Sequence, residues 1–358
     1  MPGLLALETE IVAMVAAHVG GDERVVGNFT SGGTESVMLA VKTARDRARV
    51  LRPDIARPEI VIPVTAHPCF RKAAHYLDVE AVIVPVDETT MRVDLEAVRD
   101  AIGPRTILLV GSAPGFGFGV VDPIRELGAL AREHNLLLHV DGCIGGFLLP
   151  LFRRLGHAVS DFDFSVPGVT SISVDLHKYA LAPKGASVVL YRDADLRKYQ
   201  LFACADWPGY AMVNCNVQSS RSGGPMAAAW ALLQHFGVAG YLEIAREIKD
   251  AADRVVEGIA RIPGLRVLGC PEASLVAITA EKANVFQLCD EMKRRGWRLY
   301  PQLSVGAIPA SFHVALHSHN VGSVDAWLLD LRLALDAVSS TENAGTASPV
   351  AAAMGGID

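Results

Sequence analysis

The chain has 358 residues, of which 51% are hydrophobic and 20% charged, and its formal net charge is -6 at neutral pH. That length is enough for one large domain with a smaller one, and the acidic balance gives no reason to expect a nucleic acid or an anionic membrane as partner. No apolar run reaches the roughly 18 residues that a membrane-spanning helix requires.

The opening stretch MPGLLALETEIVAMVAAHV is broken by Glu8 and Glu10 and carries no basic leader, so it reads as an amphipathic helix rather than a secretory signal. We assign 1–24 to this N-terminal helix. From residue 34 to 193 short β-branched runs alternate with helical stretches. The runs EIVIPVTAH (59–67), EAVIVPVD (80–87), TILLVGSAP (106–114), NLLLHVD (135–141), SISVDLHK (171–178) and ASVVLYR (186–192) are predicted strands. Between the runs, Val37, Ala40, Val41, Ala44 and Ala48 share one face of a predicted helix over 34–50. Doubly apolar strands alternating with helices define an α/β domain with a mainly parallel sheet, placed at 25–225. Beyond it the texture changes. A long helical region (226–261), the runs GLRVLG, SLVAIT and FHVALH, and helices at 283–296 and 323–338 predict a smaller α+β domain at 226–338. The tail 339–358 has the small, polar composition of a frayed terminus.

The six cysteines (Cys69, Cys143, Cys204, Cys215, Cys270 and Cys289) show no CxxC spacing. They are expected to be reduced thiols of a cytoplasmic protein, with no disulfide framework and no metal site.

In an open α/β sheet a ligand lies beyond the carboxyl ends of the strands. Four predicted strands end in groups with useful chemistry: His67, Ser112, Asp141 and Lys178. In TSGGTES (30–36), Gly32 and Gly33 permit close backbone approach, and Thr34 opens a helix whose first amides are unpaired. That is an anion site suited to a phosphate, or else an ordinary cap with a glycine turn. Asp141 closes an apolar strand, where a carboxylate needs a cationic partner. A protonated pyridine nitrogen would serve, as would a structural salt bridge. His67 precedes Pro68 and so is extended or in a turn; its flat ring could stack on an aromatic ligand or simply pack. Lys178 follows a strand and a histidine, whereas Lys184 precedes Gly185 at the entry to the next strand, so Lys178 is the better Schiff-base candidate. A phosphate cradle, a stacking histidine, an aspartate for a ring nitrogen and a strand-end lysine together describe a pyridoxal 5'-phosphate (PLP) site of fold type I, the aspartate-aminotransferase type.

The segments TSGGTES, HVDGCIGGFLLPLF, FDFSVPGVTSISVDLHKYALAPKGASVVLY and DWPG followed by SRSGG resemble the sphingosine-1-phosphate lyases and their bacterial relatives. These belong to the PLP-dependent group that also holds the aromatic-amino-acid and glutamate decarboxylases. The resemblance runs from about residue 6 to 337. It implies cleavage of the Cα–Cβ bond of a phosphorylated long-chain amino alcohol into a fatty aldehyde and phosphoethanolamine, in a homodimer. Lys178, Asp141 and His67 would be the catalytic groups. Gly33, Thr34 and His177 would hold the cofactor phosphate, while Ser220 and Arg221 would reach a phosphate, in the same subunit or the other. Three departures stand out. Gly142 replaces a usual alanine, which is expected to cost a contact with the ring. Gly117 and Phe118 stand where a proline and an aromatic residue or histidine are common. Met212, Asn214, Cys215 and Asn216 replace a tyrosine and a Ser-Pro-Thr run. The family also has a segment ahead of the point where this chain begins, which implies a shortened soluble member or a start placed late. Because of these departures, amino-acid decarboxylation on the same scaffold and a catalytically impaired PLP-binding homologue stand as alternatives.

Overall fold

The computed structural model describes residues 2–341. The chain divides into two compact units. The first comprises the chain up to Asp87, Arg92–Phe116 and Val121–Glu243; the second comprises Glu88–Met91, Gly117–Val120 and the chain from Ile244 onward. The composition change near 225 therefore precedes the unit boundary, which falls inside a long helix.

In chain order the first unit runs α1 (Pro2–His18), β1 (Val26–Thr30), α2 (Gly33–Leu51), β2 (Glu59–Pro63), α3 (Cys69–Leu77), β3 (Glu80–Val84), α4 (Leu95–Ala101), β4 (Thr106–Ser112), α5 (Ile124–Glu133), β5 (Leu137–Asp141), α6 (Gly145–Arg154), β6 (Ser171–Asp175), β7 (Ser187–Tyr191), α7 (Ala194–Arg197), β8 (Phe202–Cys204) and β9 (Met212–Asn214). The seven-stranded sheet has the order β1-β7-β6-β5-β4-β2-β3, and β7 alone runs antiparallel to its neighbours. Strands β2, β4, β5, β6 and β7 are buried along their whole lengths, as expected for a sheet covered on both faces. The apolar face of α2 (Val37, Val41, Ala44) packs with Phe70 of α3 over Ile60, Ile62, Leu108, Val110 and Val189. Strand β1 is an element that apolar patterning misses, because Gly27 and Asn28 interrupt it. Gly27 is needed for close approach, since a Cβ there would lie 2.3 Å from the Val189 carbonyl oxygen. Asn28 is tied by Arg197 and Gln200 to its oxygen and donates to Glu8.

Helix α8 (Gly223–Ala260) breaks at Gly237, whose φ of 53° and ψ of -169° are not helical. The second unit holds the sheet β10 (Leu265–Val267), β11 (Leu275–Ala280), β13 (Ser311–Ala315), β12 (Pro301–Gln302), with antiparallel neighbours. Helices α9 (Val285–Arg294) and α10 (Val324–Thr341) belong to it as well. The part of the predicted tail beyond residue 341 lies outside the described residues. Among the described residues no helix is long and apolar enough to cross a membrane, and no cluster of histidine, cysteine and carboxylate side chains could hold a metal ion. All six cysteines are unpaired.

Candidate active site

The strand-end residues converge on one cavity of about 300 Å³ within the first unit. Gly33, Thr34, His67, Asp141, His177 and Lys178 all line it. The parallel sheet produces this convergence, because β2, β5 and β6 end on the same edge. Ser112 ends β4 on that edge too, but its amide donates to Asp122 and it is not part of the lining.

Lys178 lies three residues past β6 rather than on it, since the strand ends at Asp175. Its Nζ is 2.9 Å from Asp175 Oδ2. Burial opposes the ammonium, but the carboxylates of Asp175 and Asp141 outweigh that and hold Lys178 above the ordinary lysine range. Lys184 is exposed and outside the lining. Asp141 Oδ1 accepts the Cys143 amide at 3.1 Å and the Ser173 hydroxyl at 3.3 Å. Among the described residues no cation forms an ion pair with Asp141, although the residue is only 8% exposed. At the N-terminus of α2, Gly32 caps without a side-chain bond and Ser36 is the first residue whose amide bonds back, to the Gly32 carbonyl. The preceding amides are therefore open to an anion. A Cβ on Gly33 would meet Cys143 Sγ at 2.7 Å and Asp175 Oδ1 at 2.9 Å. His67 is half-buried, accepts the Cys69 amide on Nδ1 at 3.2 Å, and stands edge-on to Phe116 with ring centroids 5.9 Å apart. His177 accepts the Ala186 amide on Nδ1 at 3.3 Å, which places its proton on Nε2, 3.5 Å from Asp175 Oδ2. Burial holds His177 below the ordinary imidazole range.

Ser220 and Arg221 are not brought to this cavity. Ser220 is exposed. Both guanidinium nitrogens of Arg221 are taken by Glu8 of α1, one at 2.7 Å from Oε2, and the guanidinium also donates to the Phe29 carbonyl. The altered centre of the 210–217 segment straps the same place. Asn216 donates to the Phe29 carbonyl at 2.9 Å and Cys215 accepts from Asn28. A Cβ at Gly142 would meet the Ser173 carbonyl oxygen at 2.9 Å, and Gly142 is not part of the cavity lining. Outside the TSGGTES stretch, six further lining residues, Cys69, Pro114, Phe116, Cys143, Ile144 and Asp175, were not read as site residues from the sequence. Asp175 had a legible signal, a carboxylate one helical turn before the lysine at a strand end.

The sheet order, the lysine just past a strand end and the buried Asp141 are the features of a PLP-binding protein of fold type I. The chain matches the pyridoxal-dependent decarboxylase conserved domain over residues 1–281, and it belongs to that family. It is 42% identical to a sphingosine-1-phosphate lyase of Arabidopsis thaliana, over 98% of this chain and 65% of that protein. It is 36% identical to the sphingosine-1-phosphate lyase of Saccharomyces cerevisiae, over 99% of this chain and 60% of the yeast protein. The chain thus spans about two thirds of the length of these relatives or less. The solved sphingosine-1-phosphate lyase of Burkholderia pseudomallei superposes with a TM-score of 0.91 at 38% identity, over 96% of this chain and 79% of that one. Glutamate decarboxylase of Lactobacillus brevis, at 22% identity and a TM-score of 0.83, shares the fold.

The residues present fit the family's cofactor. A buried carboxylate without an ion-pair partner among the described residues, an amine and the unpaired first amides of a helix all face the same cavity.

Proposed function

We propose that the chain is a PLP-dependent lyase that cleaves a phosphorylated long-chain amino alcohol to a fatty aldehyde and phosphoethanolamine. The observation that carries this reading is the 42% identity to a sphingosine-1-phosphate lyase across 98% of the chain, site included. When bound, the cofactor supplies an electron sink for charge left on the substrate carbon as its bond breaks. Lys178 would be the group that holds the cofactor covalently. Asp141 would hold a proton at the ring nitrogen, its Oδ1 fixed by the Cys143 amide and the Ser173 hydroxyl. Gly33 and Thr34 present the first turn of α2 to the phosphate. The neutral His177 has both ring nitrogens engaged, so its contribution there is orientation rather than charge. His67, fixed by the Cys69 amide and Phe116, covers the cavity from the loop after β2.

Two further proposals accompany it. A homodimer would cover the apolar side chains that the hairpin segment leaves exposed, among them Phe202, Tyr210 and Val213. A cytoplasmic location accords with six unpaired cysteines.

Purified protein should be yellow, with absorbance at about 410–430 nm that Lys178→Ala abolishes. Incubation with a phosphorylated sphingoid base should release aldehyde. Carbon dioxide from an amino-acid panel, with no aldehyde, would make it a decarboxylase. PLP bound without either product would make it an inert relative.

A further inference from the structure

Asp175 has no part in the chemistry described so far, yet it lines the cavity beside Lys178. It closes β6 with its side chain 2% exposed. Both of its neighbours in the turn lie on one oxygen, with Lys178 Nζ 2.9 Å and His177 Nε2 3.5 Å from Oδ2. Oδ1 is buried and has no hydrogen-bond partner. A Cβ at position 33 would lie 2.9 Å from it, so the missing side chain of Gly33 is what makes room for this carboxylate.

We propose that Asp175 is the counter-ion of Lys178, holding its nitrogen as an ammonium against the end of β6 whenever it is not joined to the cofactor. Asp175 thereby governs how readily that nitrogen is committed. The inference rests on the reading of this cavity as a PLP site.

The groups around Lys178 single out Asp175. Asp141 engages the Cys143 amide and Ser173. Burial pushes the Cys143 and Cys69 thiols well up, so both are neutral near pH 7 and neither is an anion for the lysine. Glu35 spends its two oxygens on the amides of Ser31 and Val217. His177 is held below the ordinary range by burial, with Lys184 and Lys178 acting in the same direction, and His67 is engaged by the Cys69 amide. Asp175 is the carboxylate in ion-pair contact with Lys178. Attachment needs the opposite state. The ammonium must give up one proton, its nitrogen then bonds to the aldehyde carbon, and the aldehyde oxygen leaves as water. A buried carboxylate at 2.9 Å opposes the first of these events and returns the lysine to a fixed place after each release. Asp175 is accordingly a positioning residue that acts through Lys178.

The test uses the full chain washed free of cofactor with hydroxylamine, for the unaltered protein, Asp175→Asn, Asp175→Glu and Lys178→Ala. PLP is added across a range of pH and attachment is followed by absorbance. In Asp175→Asn the midpoint of the pH profile should fall by about one unit, making attachment near neutral pH about tenfold faster, while Asp175→Glu should keep the original profile. An unchanged midpoint in Asp175→Asn overturns the proposal. If the unaltered chain takes up no PLP at position 178, the reading of the cavity fails instead. A second measurement needs no variant: acetic anhydride labelling of Lys178 against the exposed Lys282, followed by mass spectrometry over the same pH range. Lys178 labelling displaced by about one unit or more to higher pH supports the pair, and labelling at or below the pH of Lys282 overturns it.

Discussion

Gly33→Ala probes the packing on which the site depends. The backbone at Gly33 is not left-handed, so it would accept an alanine, and a helix gains up to about 1 kcal/mol when alanine replaces glycine. Space is what forbids it. The added methyl would lie 2.7 Å from Cys143 Sγ, 2.9 Å from Asp175 Oδ1 and 3.0 Å from Oδ2. Ordinary carbon contacts lie at about 3.5–4.0 Å, so one side has to yield by about an ångström. Both neighbours are buried, and such overpacking costs about 1–3 kcal/mol. The displaced groups are the wall of the cofactor cavity, so the loss falls on binding. At about 1.4 kcal/mol per decade, PLP affinity should drop about tenfold or more. The assay is an absorbance titration with PLP beside a thermal melt. The double variant Gly33→Ala/Cys143→Ala removes the closest obstacle and should recover part of the loss, because neighbours in contact are not additive. If Gly33→Ala binds PLP within about twofold of the unaltered chain, the close-packed wall described above is wrong.

Three other expectations follow from the same structure. Burial pushes the Glu8 carboxyl up, but Arg221, the Phe29 amide and Asn28 outweigh it and leave Glu8 below the usual range. The stability it contributes is therefore present above the ordinary carboxylate range and lost as pH falls through the lower folded value. A thermal-denaturation cycle with Glu8→Gln and Arg221→Gln should show a coupling of about 2–3 kcal/mol, and additive losses would deny that the pair anchors the 200–222 segment. Asp141→Ala should lower turnover far more than PLP affinity, and undiminished turnover would remove it from the chemistry. His139, fully buried on β5 with Nε2 unpartnered, is pushed down to about 4 by burial, so protons favour the unfolded chain below pH 6.5 and its contribution is lost on acidification. Asp122 is pushed up to about 6 by burial and slopes the opposite way. His139→Leu should therefore gain about 2–3 kcal/mol relative to the unaltered chain between pH 6.5 and 4.5, and parallel stability curves would refute the assignment.

Much of the fold was legible because a buried parallel sheet writes itself as apolar runs, and β2, β4, β5, β6 and β7 fall within the runs predicted for them. The runs ending at His67 and Lys178 extended past the true ends of β2 and β6, because an apolar residue, Val64 or Leu176, follows each strand directly, whereas the run ending at Asp141 stopped where β5 stops. Strand β1 stayed hidden because its hydrogen bonds to β7 are supported by Asn28 and by the absence of a side chain at Gly27, neither of which carries a hydrophobic signal. The lining residues that could be read were the ones whose side-chain chemistry is unusual at a strand end. Cys69, Cys143 and Phe116 could not be read, since each is an ordinary packing residue until the fold turns it toward a cavity.

Arg221 is engaged away from the cavity of its own chain. Its neighbours in sequence, SRSGG, point to a phosphate, yet the side chain has an acceptor 213 residues away in Glu8, which also receives the Phe29 amide. A guanidinium already gripped in a bidentate, partly buried pair would have to break that pair before it could bind an anion, at a cost of several kcal/mol. Lys178 is the converse case. Its partner Asp175 is three residues away, inside the motif, and it too is an ion pair, but one whose cation the chemistry requires to be released. On the proposed reading of the cavity, the bidentate pair and the single-contact pair have opposite uses. Arg221 and Glu8 join a strap to α1 and gain by staying closed, whereas Asp175 and Lys178 sit on the cavity wall and serve the site only because they open.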